Sequence, residues 1–121
     1  MRAMLLATAL AVGCSTDTTL SEDTAFRRIV DQYASYEECI NDSQFIDCYQ
    51  TLTLCANGRV AMSLNLQVED GSYQLDGDLA IATFLTKTVE FDLETASSPQ
   101  LPGRNRWERV EPTYYDCNSS E

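Results

Sequence analysis

Apolar and polar side chains alternate along much of residues 49–94, with the period of two that is typical of strands with one buried face. The alternation predicts five strands, at residues 51–55, 60–66, 73–75, 79–85 and 89–93. The strand 79–85 is apolar at nearly every position, which favours a strand covered on both faces or placed centrally in its sheet.

The last of these strands has the clearest division into two faces. Val89, Phe91 and Leu93 are expected to point into the core, because successive side chains of a strand alternate. The residues that alternate with them are acidic and are expected to face solvent: Glu90, Asp92 and Glu94. Paired carboxylates can perform acid–base catalysis, but strand alternation alone accounts for this row.

Three short turn sequences separate the strands: Asn-Gly at 57–58, Glu-Asp-Gly at 69–71 and Asp-Gly at 76–77. Asn, Asp and Gly accept the positive φ angles of tight hairpins. Connections this short favour pairing between consecutive strands, and therefore an antiparallel meander. Such a small sheet has to close into a barrel or pack under a helix to bury its apolar face.

One amphipathic helix is predicted over residues 22–38. The apolar side chains here recur at helical spacing: Phe26, Ile29, Val30, Tyr33, Tyr36 and Ile40. A capping box at residues 19–22 would begin it. We expect the helix to pack on the sheet, and an aromatic ligand face formed by Tyr33 and Tyr36 is the alternative.

The C-terminal part contains a loop and a closing strand. Residues 96–103 are rich in Ser, Pro and Gly, which is typical of a loop, and residues 104–111 then predict the last strand. Trp107 is expected to plug the end of the barrel. The nearby basic residues are expected to pair with the acidic row 90–94, and a small anion or partner site is the alternative: Arg104, Arg106 and Arg109.

Composition excludes several classes of function. The net charge of −11 argues against nucleic acid as a partner, since nucleic acid requires a basic surface. The chain has no histidine and therefore lacks the commonest general base and transition-metal ligand. Residues 76–78 lack the spacing of a calcium loop. No catalytic residue, metal site or cofactor is assigned, and an enzyme is not expected.

The N-terminus resembles that of bacterial lipoproteins. Residues 3–12 form an apolar segment that follows Arg2 and is too short to span a bilayer. Residues 11–14, Ala-Val-Gly-Cys, resemble the lipobox of that class, in which the cysteine is lipidated and becomes the mature N-terminus. They differ from it at Ala11, where the class usually has leucine. The resemblance implies a signal peptide over residues 1–13 and a lipid on Cys14.

The same resemblance implies the domain organisation and location. Residues 14–24 would be the lipidated cysteine and a flexible tether, and residues 25–121 a small β domain. The protein would be anchored in the bacterial cell envelope through its lipid. Ser15 and Thr16 lack the aspartate that retains many such proteins at the inner membrane, so the outer membrane is favoured. The alternative is a cleaved, secreted or periplasmic protein without lipid.

Four further cysteines predict two disulfides in an exported chain: Cys39, Cys48, Cys55 and Cys117. Extended residues 49–55 would hold Cys48 and Cys55 roughly 20 Å apart, whereas a disulfide needs Cα atoms within about 7 Å. Two pairings remain, 39–48 with 55–117 or 39–55 with 48–117. The second is favoured if the last strand runs beside the strand 51–55.

The hairpin segments 52–60 and 71–79 resemble those of small lipocalin-like lipoprotein domains. The expected fold is mainly β: a small antiparallel meander or lipocalin-like barrel with one N-terminal helix and two disulfides. The expected function is that of a non-catalytic envelope lipoprotein that binds a protein partner or a small apolar ligand. A disulfide-bonded inhibitor of a hydrolase is the alternative. An apolar cavity would favour the ligand, and an exposed rigid loop or apolar patch the inhibitor.

Overall fold

The computed structural model describes residues 18–42, 47–64, 67–112 and 117. These residues form seven strands and one short helix, so the prediction of a mainly β fold is confirmed. The strands are β1 (Thr24–Ile29), β2 (Tyr49–Leu54), β3 (Arg59–Ser63), β4 (Val68–Asp76), β5 (Leu79–Thr83), β6 (Thr88–Asp92) and β7 (Glu108–Val110). The helix, α1, is Tyr36–Asn41. Within the described ranges, no helix has the length and apolar character needed to cross a bilayer.

The strands form one antiparallel sheet, in the order β6-β5-β4-β3-β2-β1-β7, which curls into a half-barrel. The expected meander is confirmed from β2 to β6, because each strand pairs with the next. Strand β1, which was not predicted, extends it by pairing with β2. Successive connections of a meander alternate between the two ends of its sheet. We call the end with the β1–β2, β3–β4 and β5–β6 connections the rim, and the opposite end the base.

The concave face of the half-barrel holds the core. At its centre, the Phe91 ring lies 4.8 Å from that of Phe26 and meets Trp107 edge-on at 5.8 Å. The other buried members are Leu52, Leu54, Val60, Met62, Tyr73, Ala80, Ala82, Phe84, Val89 and Leu101. Phe26 lies on β1 and Phe91 on β6, so curling of the sheet brings distant strands together. Each such aromatic pair contributes about 0.5–1.5 kcal/mol beyond its buried area.

Two of the three predicted turns are confirmed and one is wrong. Gly58 and Gly77 have φ angles of +94° and +64° in the β2–β3 and β4–β5 connections. Residues 69–71, by contrast, lie within β4. Gly71 is needed there because an added Cβ would lie 2.2 Å from the backbone oxygen of Thr83. The glycine therefore marks a close approach of two strands, not a turn.

The prediction of a helix over residues 22–38 is wrong. Residues 24–29 form strand β1, in which Thr24, Ala25, Phe26 and Arg28 are buried and Arg27 and Ile29 are half-buried. This strand pairs with β2 on one side and β7 on the other, and these long-range hydrogen bonds override the helical spacing. The only helical turn in the region is α1, which begins after Ser35, whose Oγ accepts a hydrogen bond from the Glu38 N–H.

Strand β5 is buried on one face only, which corrects the prediction for residues 79–85. Ala80 and Ala82 are buried, whereas Leu79 and Ile81 are half-buried and Leu85 is 98% exposed. On β6, the predicted inward orientation of Val89 and Phe91 is confirmed, with 0% and 1% exposure. Leu93 packs against the same core, while the acidic side chains lie on the opposite face.

The closing strand β7 pairs with β1 instead of the strand beginning at residue 51. It therefore lies at the opposite edge of the sheet from β6. The predicted ion pairs of Arg104, Arg106 and Arg109 with the acidic row 90–94 are wrong, since none of them occurs among the described residues. Trp107 is buried in the core, where its ring meets that of Phe91, and does not plug the end of a closed barrel.

The disulfides are Cys39–Cys48 and Cys55–Cys117, with Cα separations of 5.8 and 5.6 Å. Two disulfides are confirmed, as is the exclusion of Cys48–Cys55, but the favoured pairing 48–117 is wrong. Because β7 is antiparallel to β1, it runs in the same direction as β2. Its end therefore approaches the end of β2, where Cys55 lies.

Part of the predicted tether belongs to the folded domain. The backbone oxygen of Thr18 accepts a hydrogen bond from the Leu75 N–H at 2.7 Å, and the Leu20 side chain packs on the core. The Asp23 carboxylate accepts a hydrogen bond from the Ala56 N–H at 2.8 Å. These contacts hold residues 18–23 across the base. Cys14 and residues 15–17 lie outside the described residues.

Candidate functional site

The interior of the half-barrel is filled by its own side chains. Phe26, Phe91 and Trp107 occupy its centre, and each is at most 6% exposed. An apolar ligand would have to displace this cluster, which is tightly packed. A binding site would therefore lie on the surface of the half-barrel.

Four large apolar side chains are exposed among the described residues: Tyr36, Ile40, Val68 and Leu85. Tyr36 and Ile40 lie in the β1–β2 connection, Val68 begins β4, and Leu85 is in the β5–β6 connection. All four therefore lie at the rim. Their exposed fractions rise from 44% at Tyr36 to 98% at Leu85.

The β5–β6 connection is a short and well-supported hairpin. The Phe84 N–H donates to the Lys87 oxygen at 2.8 Å, and the Phe84 side chain is buried in the core. The Lys87 ammonium lies 3.3 Å from the Glu69 carboxylate of β4. Leu85 is thus presented to solvent from a fixed loop.

A row of stacked groups crosses the convex face. Tyr49 stacks on Tyr36 at 5.1 Å, and the Arg27 guanidinium lies 4.1 Å from the centre of the Tyr49 ring. Arg27 Nε also lies 3.1 Å from a carboxylate oxygen of Glu108. The row joins α1, β2, β1 and β7, and its contacts are explained by packing. It borders an open groove of about 830 Å³, whose lining includes Glu111. The described range ends at residue 112, so no site is assigned to this groove.

A second depression, of about 380 Å³, lies between β1 and the loop 95–107. We call it the arginine pocket. The side chains that line it and carry polar groups are Arg28, Thr95, Ser97, Ser98, Arg104, Asn105, Arg106 and Trp107. Arg104 and Arg106 are exposed, whereas Arg28 and Trp107 are buried. No Asp or Glu is among the described residues that line it.

Arg28 is held firmly beneath this pocket. Its guanidinium lies 4.6 Å from the centre of the Trp107 ring and donates hydrogen bonds to Gln50 Oε1 and to the backbone oxygens of Leu101 and Pro102. Burial lowers the pKa of Arg28, and the nearby charge of Asp31 opposes that effect. Arg28 forms no ion pair within the described ranges.

Two further features mark the same pocket. The indole N–H of Trp107 is buried and has no hydrogen-bond partner among the described residues. Ala96 has a φ of +54°, the only positive φ of a non-glycine residue in the described chain. Unpaired buried donors and left-handed backbone both carry a free-energy cost and are concentrated at functional sites.

The remaining clusters have structural explanations. Asp23 lies near Cys55 and Cys117, but the two cysteines are bonded to each other and offer no thiolate to a metal. Residues 76–78 form the β4–β5 turn, as the sequence indicates. The Asp92 carboxylate accepts hydrogen bonds from the N–H groups of Glu94 and Thr95, and so caps the turn after β6.

The sequence identifies part of the arginine pocket. The structure brings Arg104, Arg106 and Trp107 together, but it places Arg109 on β7, beside the convex groove. Arg28 was missed, because it was assigned to a helix. Cys14 lies outside the described residues. Comparisons with protein families, with curated proteins and with solved structures gave no match.

Proposed function

We propose that this protein is a non-catalytic, membrane-anchored envelope lipoprotein whose rim binds a protein partner. The observation that carries the proposal is the placement of Tyr36, Ile40, Val68 and Leu85 at one end of the sheet. Exposed apolar groups concentrated in one region favour an interaction surface. The filled interior supports a protein partner over a small apolar ligand.

The attachment of the N-terminal segment supports a defined orientation. The backbone oxygen of Thr18 accepts a hydrogen bond from the Leu75 N–H near the base. Thr18 follows Cys14 by only four residues. Four residues span at most about 14 Å. A lipid on Cys14 would therefore hold the base near the membrane and direct the rim away from it, toward a partner.

Lipidation is tested by intact-mass measurement of the protein exported by a bacterial host. We expect a mature chain that begins at Cys14 and carries acyl groups. Replacing Cys14 with Ser should block processing or release the domain from the membrane without unfolding it. An unmodified N-terminus at any other residue would contradict the anchoring.

Partner binding is tested by placing a photo-crosslinking amino acid at Leu85 in the membrane-anchored protein. A discrete cross-linked protein is expected from this position. The matched control is Asp78, an exposed hairpin residue at the base. Equal cross-linking from both positions, or none from Leu85, would show that the rim is not the binding surface.

Inhibition of a hydrolase is the second candidate, and the Leu85 hairpin favours it. A hairpin fixed by the Phe84–Lys87 hydrogen bond presents one apolar side chain without much loss of entropy on binding. If the partner is a hydrolase, its activity should fall on addition of the protein. Leu85→Asp should abolish the effect, and Asp78→Asn should retain it.

A further inference from the structure

We propose that the arginine pocket binds a small molecule bearing a phosphate or carboxylate group. The proposal is independent of the rim. It rests on three arginines, Arg28, Arg104 and Arg106, that line the depression together with Trp107. The indole N–H of Trp107 is buried and has no partner among the described residues.

The charge of the pocket is opposite to that of the protein. The chain carries 19 acidic and 8 basic residues, yet three of the basic side chains line this depression and no described lining residue is acidic. Asp31 lies at its border, where its carboxylate accepts the backbone N–H of Arg104 at 3.0 Å. The local positive charge would attract a small anion to an otherwise acidic surface.

Arg28 supplies a fixed charge that the described chain does not neutralise by an ion pair. Its three hydrogen bonds go to the neutral oxygens of Gln50, Leu101 and Pro102. Buried charges are normally paired, because desolvation disfavours them. Asp31 acts on Arg28 from nearby without forming an ion pair with it. A bound anion would provide an opposite charge in direct contact, and the exposed Arg104 and Arg106 could close over it.

Trp107 provides the second, independent observation. Its side chain lines the pocket, and its N–H has no acceptor among the described residues. A buried donor without a partner costs about 1–3 kcal/mol. An oxygen of a phosphate or carboxylate could accept this N–H after a small movement of the loop 95–107.

The donors define the chemical class of the ligand. Guanidinium groups match the planar or tetrahedral oxygens of carboxylates and phosphates. Ser97 and Ser98 also line the pocket, and their hydroxyls are held by hydrogen bonds with Thr95 and Gln100. A volume of about 380 Å³ suits a small molecule better than a protein segment.

Binding is measured by fluorescence of Trp107, the only tryptophan, during titration with inorganic phosphate and, separately, with succinate. Ionic strength is held constant with sodium chloride. We expect a saturable change with at least one of the two anions at concentrations up to about 10 mM. The anion that binds more tightly identifies the group. A linear response to both anions, or none, overturns the proposal.

The variants Arg104→Gln and Arg106→Gln should each weaken binding by about tenfold, because each removes a charged donor from the pocket. Both side chains are exposed, so the fold should be retained. Arg109→Gln removes the same charge outside the pocket and should change affinity less than about twofold. Equal weakening by all three variants would reveal a non-specific charge effect, and unchanged binding in all three would place the anion elsewhere. Either result overturns the proposal.

Discussion

Phe91 is the residue on which the core depends most. It is 1% exposed and contacts both Phe26 and Trp107. Phe91→Ala is expected to lower the free energy of unfolding by about 3–5 kcal/mol, since it leaves a cavity among rigid rings. The neighbouring Glu90 lies on the other face, so Glu90→Gln should change the free energy of unfolding by less than about 0.5 kcal/mol. Urea unfolding measures both, and comparable losses would contradict the assigned faces.

Tyr73 joins the N-terminal segment to the sheet. Its hydroxyl donates to the Cys55 oxygen at 2.7 Å and accepts from the Leu20 N–H at 3.0 Å. Tyr73→Phe is expected to cost about 1–3 kcal/mol, because it leaves the Leu20 N–H without this acceptor. It also removes one of the two hydrogen bonds to the Cys55 oxygen, which still accepts from the Gly58 N–H. Amide exchange at Leu20 should become faster in the variant. An unchanged exchange rate would show that this hydrogen bond does not hold the segment.

The same hydroxyl predicts a dependence of stability on alkaline pH. Burial raises the pKa of Tyr73, an effect that the hydrogen bond from Leu20 opposes and the charge of Asp23 reinforces. The folded state therefore retains a proton that the unfolded state loses above about pH 10. The contribution of Tyr73 to the free energy of unfolding is complete below that pH, and it is lost as the pH rises through the pKa of Tyr73 in the folded state. Hydrogen bonding to Asp42 likewise raises the pKa of Tyr33, to about 12.

This prediction is checked by chemical denaturation from pH 8 to pH 12 in wild type and in Tyr73→Phe. Tyr33 is present in both proteins, so the difference between the two profiles isolates Tyr73. The decline in stability above about pH 10 should be smaller in the variant. Parallel profiles would show that Tyr73 ionises equally in the folded and unfolded states.

Strands β4 and β5 leave no room for a side chain at Gly71. Gly71→Ala would place a Cβ 2.2 Å from the Thr83 oxygen and 3.0 Å from the Phe84 ring. The strands would have to separate, so we expect a loss of more than about 3 kcal/mol. Gly77→Ala meets nothing within 4 Å and should cost about 1–2 kcal/mol, the price of a left-handed alanine. Thermal unfolding that reversed this order would contradict the β4–β5 register.

At the scale of the whole molecule, the two disulfides constrain very different lengths of chain. Cys55 and Cys117 are 62 residues apart, and Cys39 and Cys48 only 9. A disulfide lowers the entropy of the unfolded chain, more so for a longer loop. This effect predicts a stabilisation of about 4 kcal/mol by Cys55–Cys117 and of about 2.5 kcal/mol by Cys39–Cys48. Replacing each pair by serine and measuring guanidinium unfolding tests this order. Peptide mapping that recovered Cys48 joined to Cys117 would refute the connectivity.

The local features of this protein follow from its sequence alone. The alternation of Val89 and Phe91 with acidic residues is a property of one strand, as is the need for glycine at positions 58 and 77 in tight turns. The exclusion of a Cys48–Cys55 disulfide followed from the length of the extended segment between them. Each of these inferences involves residues close together in the chain, so a local rule was sufficient.

The secondary structure of residues 24–29, the disulfide pairing and the position of Arg28 depend on residues that are distant in the chain, and they follow from the tertiary structure. Phe26, Ile29 and Val30 fit a helical spacing, but the hydrogen bonds of β2 and β7 made residues 24–29 a strand. Strand β1 lies between β2 and β7, so β7 does not pair with β2 as expected. Cys117 is therefore bonded to Cys55 and not to Cys48. Strand β1 also brought Arg28 beneath Trp107. These contacts join groups that are distant in the chain, such as Arg28 and Leu101, which are 73 residues apart, and no pattern along the chain records them.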